Sequence, residues 1–143
     1  MDDPELVYAA TAWPTNAAMI RDVAKLGYLR ALDLVLDPTY GRGGWWRCWS
    51  PRQMSAGDLY EPLIYAPPGC EGFCTHPGLD FRTMSHVLPH DCFDAVAFDP
   101  PYVCPGGRGT SYQENYGMGT TAKRPEDVQS DIQDGLDECL RVV

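Results

Sequence analysis

The sequence predicts an α/β fold with a mainly parallel sheet, because short apolar runs typical of strands alternate with segments of helical periodicity. Two of these runs, residues 32–36 and 93–98, are each followed by the dipeptide Asp-Pro. A glycine-rich segment comes after the first run, as it does in many sheets that bind nucleotides. The length of 143 residues fits one domain, so a single domain spanning 1–143 is expected.

Two helices are predicted, one near each end of the chain. The first covers residues 15–29, where apolar side chains recur at helical spacing and Thr15 or Asn16 is available as an N-cap. The second covers residues 125–143, with proline and two acids in its first turn. Its expected apolar face consists of Val128, Ile132, Leu136 and Leu140.

Four strands and two long connections are predicted between these helices. The strands are expected at 32–36, 53–56, 79–81 and 93–98, the second of them ending at Asp58. A helix start is expected after the glycines near residue 44, with the tryptophans that follow packing on the sheet. Residues 62–78 are expected to form an irregular insertion, and residues 103–124 a mobile loop.

Composition limits the classes of function. No stretch reaches the roughly 20 apolar residues of a spanning helix, and the acidic start lacks a secretory signal, so we expect a soluble, cytoplasmic protein. The net charge of −9 means that any grip on nucleic acid must be local or supplied by a partner. The local basic candidates are Arg42, Arg47, Arg52, Arg108, Lys123 and Arg124.

The six cysteines are spread along the chain without the dense spacing of a disulfide scaffold, so reduced thiols are expected. The insertion and the residues after it contain the types of side chain that bind zinc. Their spacing does not match a paired Cys-x-x-Cys site, so no metal site is predicted. These side chains are Cys70, Cys74, His76, His86, His90 and Cys92.

The first candidate site is the segment Asp37-Pro38-Thr39-Tyr40-Gly41-Arg42-Gly43-Gly44, directly after a predicted strand. Glycine allows positive φ angles and lets the backbone approach a cofactor closely. An ordinary tight turn between strand and helix is the alternative. Asp58, at the end of the next strand, is placed as an acid that accepts ribose hydroxyls would be, although a solvated turn residue is the plainer interpretation.

The second candidate site is Asp99-Pro100-Pro101-Tyr102, after the last predicted strand. The prolines stiffen the backbone, the carboxylate can accept a hydrogen bond from an amine, and the tyrosine ring offers a stacking surface for a base. In a parallel sheet, Asp37 and Asp99 would open into one crevice if their strands are neighbours. A rigid turn with a surface carboxylate is the alternative.

These two motifs resemble those of the S-adenosylmethionine-dependent amino-methyltransferases, especially the adenine or cytosine amino-methylases of DNA. Asp37-Pro38-Thr39-Tyr40-Gly41-Arg42-Gly43 is similar to their cofactor motif, with Tyr40 in place of the usual phenylalanine. Asp99-Pro100-Pro101-Tyr102 matches their catalytic tetrapeptide. The order of the two motifs excludes the permuted class, in which the catalytic motif comes first.

The resemblance implies a Rossmann-like fold, S-adenosylmethionine as cofactor, and residue roles. Asp58 would bind the ribose, Asp80 the adenine, and the segment Trp13-Pro14-Thr15-Asn16 the methionine end of the cofactor. Asp37, Pro38, Thr39, Tyr40, Gly41 and Gly43 would form the cofactor loop, and Asp99, Pro100, Pro101 and Tyr102 would be catalytic.

The implied reaction is methyl transfer to an exocyclic amino group of a nucleic-acid base, with DNA favoured over RNA as the partner. Methylation of RNA or of a protein amide is an alternative within the same chemistry. Members of this family continue into further strands after a helix such as 125–143, so the sheet is expected to be incomplete at the C-terminus. A non-catalytic module, or one completed by a partner chain or by self-association, is therefore the other alternative.

Overall fold

The structure is a computed structural model that describes residues 13–59, 65–101 and 124–143. Its helices are α1, Asn16–Lys25, and α2, Pro125–Val142. Its strands are β1, Leu34–Asp37; β2, Gln53–Asp58; β3, Gly72–Pro77; and β4, Ala95–Val96. Tyr102 and almost all of the expected loop 103–124 lie outside the described residues.

The four strands form one parallel sheet in the order β3-β2-β1-β4, so the fold is α/β. β1 lies in the centre, and Asp37 at its end pairs with Ala56 of β2. On its other side, Val35 and Leu36 pair with Ala95 and Val96 of β4. The strand order therefore reverses between β1 and β4, and ligands of open parallel sheets bind at such a reversal.

Side chains from β1 enter a core on each face of the sheet, because successive residues of a strand point in opposite directions. Val35 packs with Ile20 of α1 and with Trp46. Leu36 packs on the opposite face with Met84 and with Val142 of α2. The central strand is thus buried on both faces, which accounts for its unbroken apolar sequence.

α1 begins where the sequence predicts. Thr15 is its N-cap, and the side-chain oxygen of Thr15 accepts a hydrogen bond from the amide of Ala18 at 3.1 Å. The indole of Trp13 donates to Asp22 at 3.0 Å, which ties the preceding segment to the helix. The helix ends earlier than predicted, because Gly27 takes a φ of 85° and turns the chain toward β1.

The prediction of an irregular insertion over 62–78 is wrong for residues 72–77, which form β3. This strand pairs in parallel with β2 over its whole length, from Gly72 opposite Gln53 to Pro77 opposite Asp58. It lies at an edge, and mostly polar or small side chains are tolerated there, so it has no apolar run to reveal it. The strand predicted at 79–81 is instead a turn, in which Leu79 is buried against the sheet.

The helix expected after the glycines is reduced to a single 3₁₀ turn, Gly44–Trp46. Pro51 and the start of β2 follow within a few residues, which leaves no length for an α-helix. Trp46 still packs beneath the sheet at 1% exposure, with Trp49 at a ring-centroid distance of 6.5 Å.

α2 has the predicted position, but of the predicted apolar face only Val128 is buried. Its buried residues are Val128, Gly135, Glu138 and Val142. Leu136 and Leu140 are 46% and 78% exposed. The helix approaches the protein through a glycine, because two phenylalanine rings occupy the space where a side chain at position 135 would lie.

Within the described ranges, no helix has the length and apolar character needed to cross a membrane.

Candidate functional site

A cavity of about 630 Å³ opens at the carboxyl ends of β1 and β4. It brings together nine of the predicted site residues, drawn from both motifs and from the end of β2. They are Asp37, Pro38, Thr39, Tyr40, Gly41, Asp58, Asp99, Pro100 and Pro101. The predicted crevice is present because β1 and β4 are neighbours in the sheet.

Asp37 is a buried carboxylate at the floor of this cavity, with 4% of its surface exposed. Its Oδ2 accepts a hydrogen bond from the indole of Trp46 at 2.7 Å, and its Oδ1 accepts one from the amide of Thr39 at 3.0 Å. Burial raises the pKa of Asp37 to about 7 in spite of these donors, and the charge of Asp99 adds to the increase. Through its hydrogen bonds with Thr39 and Trp46, Asp37 fixes the start of the loop that follows it.

Thr39 joins the two motifs through its hydroxyl group. Its Oγ1 accepts a hydrogen bond from the backbone amide of Asp99 at 2.9 Å. The same hydroxyl lies 3.4 Å from Oδ1 of Asp37, to which it donates. The ends of two neighbouring strands are thus connected by one side chain, in addition to their backbone pairing.

The glycine loop is shaped by two residues in the left-handed region. Gly41 has a φ of 55°, and its amide donates to Oδ2 of Asp58 at 2.9 Å. Gly43 has a φ of 70°, and a Cβ there would lie 2.5 Å from the hydroxyl oxygen of Tyr40. Gly41 lines the cavity, whereas Gly43 lies behind Tyr40 and shapes the loop.

Tyr40 uses the hydroxyl that distinguishes it from phenylalanine. That hydroxyl donates to the backbone carbonyl of Tyr65, and the ring lies 5.4 Å from the ring of Phe73. Burial raises the pKa of Tyr40 to about 12, so the hydroxyl stays protonated and keeps its donor role. The glycine loop is therefore attached to the segment that leads into β3.

Asp99 stands at the mouth of the same cavity and is exposed. Partial desolvation raises its pKa from the ordinary aspartate value. The residue before it, Phe98, packs edge-to-face on Phe81 with the ring centroids 5.2 Å apart. The carboxylate is consequently held from behind by packing while its oxygens remain accessible.

The first turn of α1 also reaches the cavity, through Thr15, Asn16 and Ala17. Helix N-termini carry unpaired amides and a partial positive charge, both of which favour a bound carboxylate.

Asp58 is the only acid that β2 contributes to the cavity lining within the described residues.

Asp80 is not among the residues that line the cavity. Its carboxylate pairs with Arg82 at 2.6 Å, and Arg82 also contacts Asp131 of α2 at 3.2 Å. These partly exposed contacts connect the turn after β3 to α2. The neighbouring Phe81 faces the cavity instead, so the turn predicted to hold a cofactor contact supplies an aromatic ring rather than a carboxylate.

Sequence reasoning did not assign several other lining residues to the site. Trp45, which follows the glycine loop in the chain, also lines the cavity. The glycine loop indicates that the residues next to it could line the site. Nothing in the sequence singles out Leu59, which follows Asp58, or Phe81, which comes shortly before the 3₁₀ turn Met84–His86. Arg42 and Gly44 also line the cavity and belong to the candidate segment 37–44, and Arg47 was singled out for its charge alone. The lining residues that the sequence did not indicate are Cys48, Leu59 and Phe81.

The five cysteines within the described ranges are free thiols. Among the same residues, no group of three or more His, Cys, Asp or Glu side chains could hold a metal ion. In the segment predicted as an insertion, Sγ of Cys74 lies 3.8 Å from Nε2 of His76.

Comparison with known protein families, curated proteins and solved structures found no match to this chain.

Proposed function

We propose that this chain is an S-adenosylmethionine-dependent amino-methyltransferase that acts on an exocyclic amino group of a nucleic-acid base, with DNA as the first acceptor to test. The observation that carries the proposal is the junction of β1 and β4. There, the glycine loop after Asp37 and the motif Asp99-Pro100-Pro101 line one cavity. A transfer reaction needs its two reactants side by side, and these motifs are suited to one reactant each.

The sheet order supports the finer assignment of a Rossmann-like methyltransferase fold. The order β3-β2-β1-β4 is the order of the first four strands in doubly wound nucleotide-binding sheets. In those sheets, the loop after the first strand binds the cofactor and an acid after the second accepts ribose hydroxyls. Asp58 stands at the latter position and lines the cavity.

The residues present fit the proposed cofactor. Carboxylates at the cavity suit a sulfonium cation, the first turn of α1 suits the methionine carboxylate, and Phe81 provides an aromatic surface for an adenine ring. S-adenosylmethionine would supply an electrophilic methyl group when bound, and the S–C bond to that methyl would break to leave the neutral thioether S-adenosylhomocysteine. Asp80 does not line the cavity, so we assign the contact with the adenine ring to the side chain of Phe81 instead.

Asp99 is the proposed acceptor-binding residue. Its carboxylate would accept a hydrogen bond from the target amine, and the carbonyl of Pro100 would accept a second one, which directs the nitrogen lone pair toward the cavity. The amine gains positive charge as the new N–C bond forms, and a fixed carboxylate stabilises that charge most in the transition state. The raised pKa of Asp99 also suits it to receive the proton that the amine then releases.

The test is transfer of radiolabelled methyl groups to single-stranded DNA, duplex DNA, RNA and protein acceptors, combined with calorimetric titration of the cofactor. Gly41→Val should weaken cofactor binding by about tenfold or more, because a side chain at this φ strains a loop that lines the cavity. Gly27→Val is the matched control. It also has a positive φ and open space around its Cβ, but it lies in the turn after α1.

Equal loss of cofactor binding in both glycine variants, or no binding by the folded wild-type chain, would refute the proposal. Cofactor binding with label in RNA or protein alone would keep the chemistry and change the acceptor.

The exposed side of α2 favours a second candidate, a methyltransferase-like module completed by association. Leu136, Leu140 and Val143 are exposed, and contiguous apolar surface of this kind marks interaction sites. Light scattering tests this candidate: a stable oligomer that Leu136→Ser/Leu140→Ser converts to monomer would support it. A monomeric, active wild-type chain would dismiss it.

A further inference from the structure

A second cavity, of about 330 Å³, adjoins the candidate cofactor cavity. The two cavities share Tyr40, Arg42 and Arg47 in their linings. These three residues therefore border both cavities, which makes the cavities neighbours.

The two cavities differ in the charge of the side chains that line them. The first has the carboxylates of Asp37, Asp58 and Asp99. Arg42 and Arg47, both exposed, line both cavities, but the described lining of the second contains no acidic residue beside them. In a chain with a net charge of −9, these two exposed guanidinium groups are local donors that can bind an anion.

The remaining wall of the second cavity is apolar and held in place. It is built from Tyr65, Ala66, Pro67 and Pro68. The carbonyl of Tyr65 accepts the hydrogen bond from Tyr40, and the carbonyl of Pro68 accepts one from the hydroxyl of Ser50 at 2.7 Å. The side chain of Tyr65 is nevertheless 64% exposed, so its ring is available to a ligand.

A pair of arginines beside an exposed aromatic ring matches the chemistry of a nucleotide in a single strand. Arginine binds phosphate oxygens through its planar donor groups. An exposed tyrosine ring stacks on a base of any sequence.

From this arrangement we infer that the second cavity binds the acceptor strand, with a phosphodiester at Arg42 and Arg47 and the neighbouring base on Tyr65. The inference rests on the proposed function, since it takes the acceptor to be nucleic acid. It gives the acidic chain a local means of holding a strand while the target base lies at Asp99. The shared ligand chemistry is that of single-stranded DNA or RNA.

Binding of fluorescently labelled ten-nucleotide DNA and RNA strands, measured by anisotropy without cofactor, tests the inference. Arg42→Gln/Arg47→Gln should weaken binding by about tenfold and make its salt dependence shallower by about one to two charges. Tyr65→Ala should weaken it roughly tenfold with little change in salt dependence.

The matched control is Arg30→Gln/Arg52→Gln, which removes the same charge at the opposite end of the sheet. These residues lie before β1 and β2, where the amide of Arg52 bonds to the carbonyl of Ala31. Within the described part of the chain, the control loses an exposed 3.9 Å pair between Arg52 and Glu71, which contributes little to stability. Thermal unfolding of every variant verifies that each remains folded.

Equal weakening by both double variants would attribute binding to net charge and overturn the inference. Displacement of the strand by inorganic phosphate as readily as by unlabelled strand would identify a general anion site and also overturn it. Arginine-dependent strand binding by a chain that transfers no methyl group would uphold this site while refuting the proposed function. If the chain transfers methyl groups to DNA but the Arg42 and Arg47 changes leave strand affinity unaffected, the proposed function stands and this inference is overturned.

Discussion

Asp37 ends β1 and Asp99 follows shortly after the neighbouring parallel strand β4, yet their surroundings give these two acids different properties. Asp37 is buried and accepts hydrogen bonds from Trp46 and Thr39. Asp99 is exposed, and among the described residues it is held by its backbone amide, through the hydroxyl of Thr39, rather than by its carboxylate. Position after a strand therefore selects the edge of the sheet, whereas neighbouring side chains decide whether an acid supports a loop or faces a ligand.

The largest expected effect is on turnover at Asp99. Asp99→Ala should reduce methyl transfer by about a hundredfold or more, because it removes the group that stabilises charge on the acceptor amine. Cofactor affinity should stay nearly intact, since the loop around Asp37 is not altered. Initial rates and calorimetry measure the two quantities, and a residual rate within about tenfold of wild type would end this role for Asp99.

The next effect is a dependence of stability on pH that belongs to Asp37. Its pKa is raised from 3.8 to about 7 on folding, so between these values the folded state holds more protons than the unfolded state. The free energy of unfolding should therefore fall as pH rises from about 4 to about 7, and the contribution should level off above that range.

Urea denaturation at several pH values, on wild type and Asp37→Asn, isolates this contribution. As pH rises, the free energy of unfolding of Asp37→Asn should increase relative to that of the wild type. A parallel pair of curves would show that Asp37 titrates at its ordinary value, and the proposed contrast with Asp99 would weaken.

A third effect tests the packing behind Asp99. A Cβ at position 135 would lie 2.4 Å from Cζ of Phe98 and 2.7 Å from Cδ2 of Phe81. Gly135→Ala should lower the free energy of unfolding by about 1–3 kcal/mol, since overpacking outweighs the gain in helix propensity. It should also weaken cofactor binding through Phe81 and leave the pH slope of Asp37 unchanged.

Ser130→Ala is the control for that change, at an exposed position of α2. It should alter the free energy of unfolding by no more than about 0.5 kcal/mol. A stabilised Gly135→Ala variant with normal cofactor affinity would contradict the packing described for the two rings.

The smallest effect concerns the hydroxyl that joins the two acids. Thr39→Val leaves the amide of Asp99 without its acceptor and should cost about 0.5–1.5 kcal/mol of stability. Thr39→Ser keeps the hydroxyl and should restore both stability and transfer. If Thr39→Val were as stable and as active as Thr39→Ser, the hydroxyl would not be the group that connects the two acids.

Local signals predicted the central features well. The N-cap Thr15, the strands that contain Leu34–Asp37 and Gln53–Asp58, and the start of the last helix follow from side-chain periodicity and capping chemistry. The placement of both motifs on one cavity followed from the rule for parallel sheets, once β1 and β4 proved to be neighbours.

The remaining differences depend on contacts between distant residues. β3 exists because β2 offers it a full ladder of partners, not because its own sequence favours a strand. α2 buries Gly135 and Glu138 in preference to Leu136, since two phenylalanines fill the space above the glycine. Glu138 is stabilised there by the amide of Ser85 at 2.6 Å, a partner 53 positions away.

The position of Trp45 has a practical consequence. Its indole is half-buried on the wall of the larger cavity, whereas Trp46 is enclosed and bonded to Asp37. A molecule that fills the cavity excludes water from the former ring and leaves the latter almost untouched. The chain thus carries an intrinsic optical reporter of occupancy, and emission spectra of the unlabelled protein can follow ligand entry in real time.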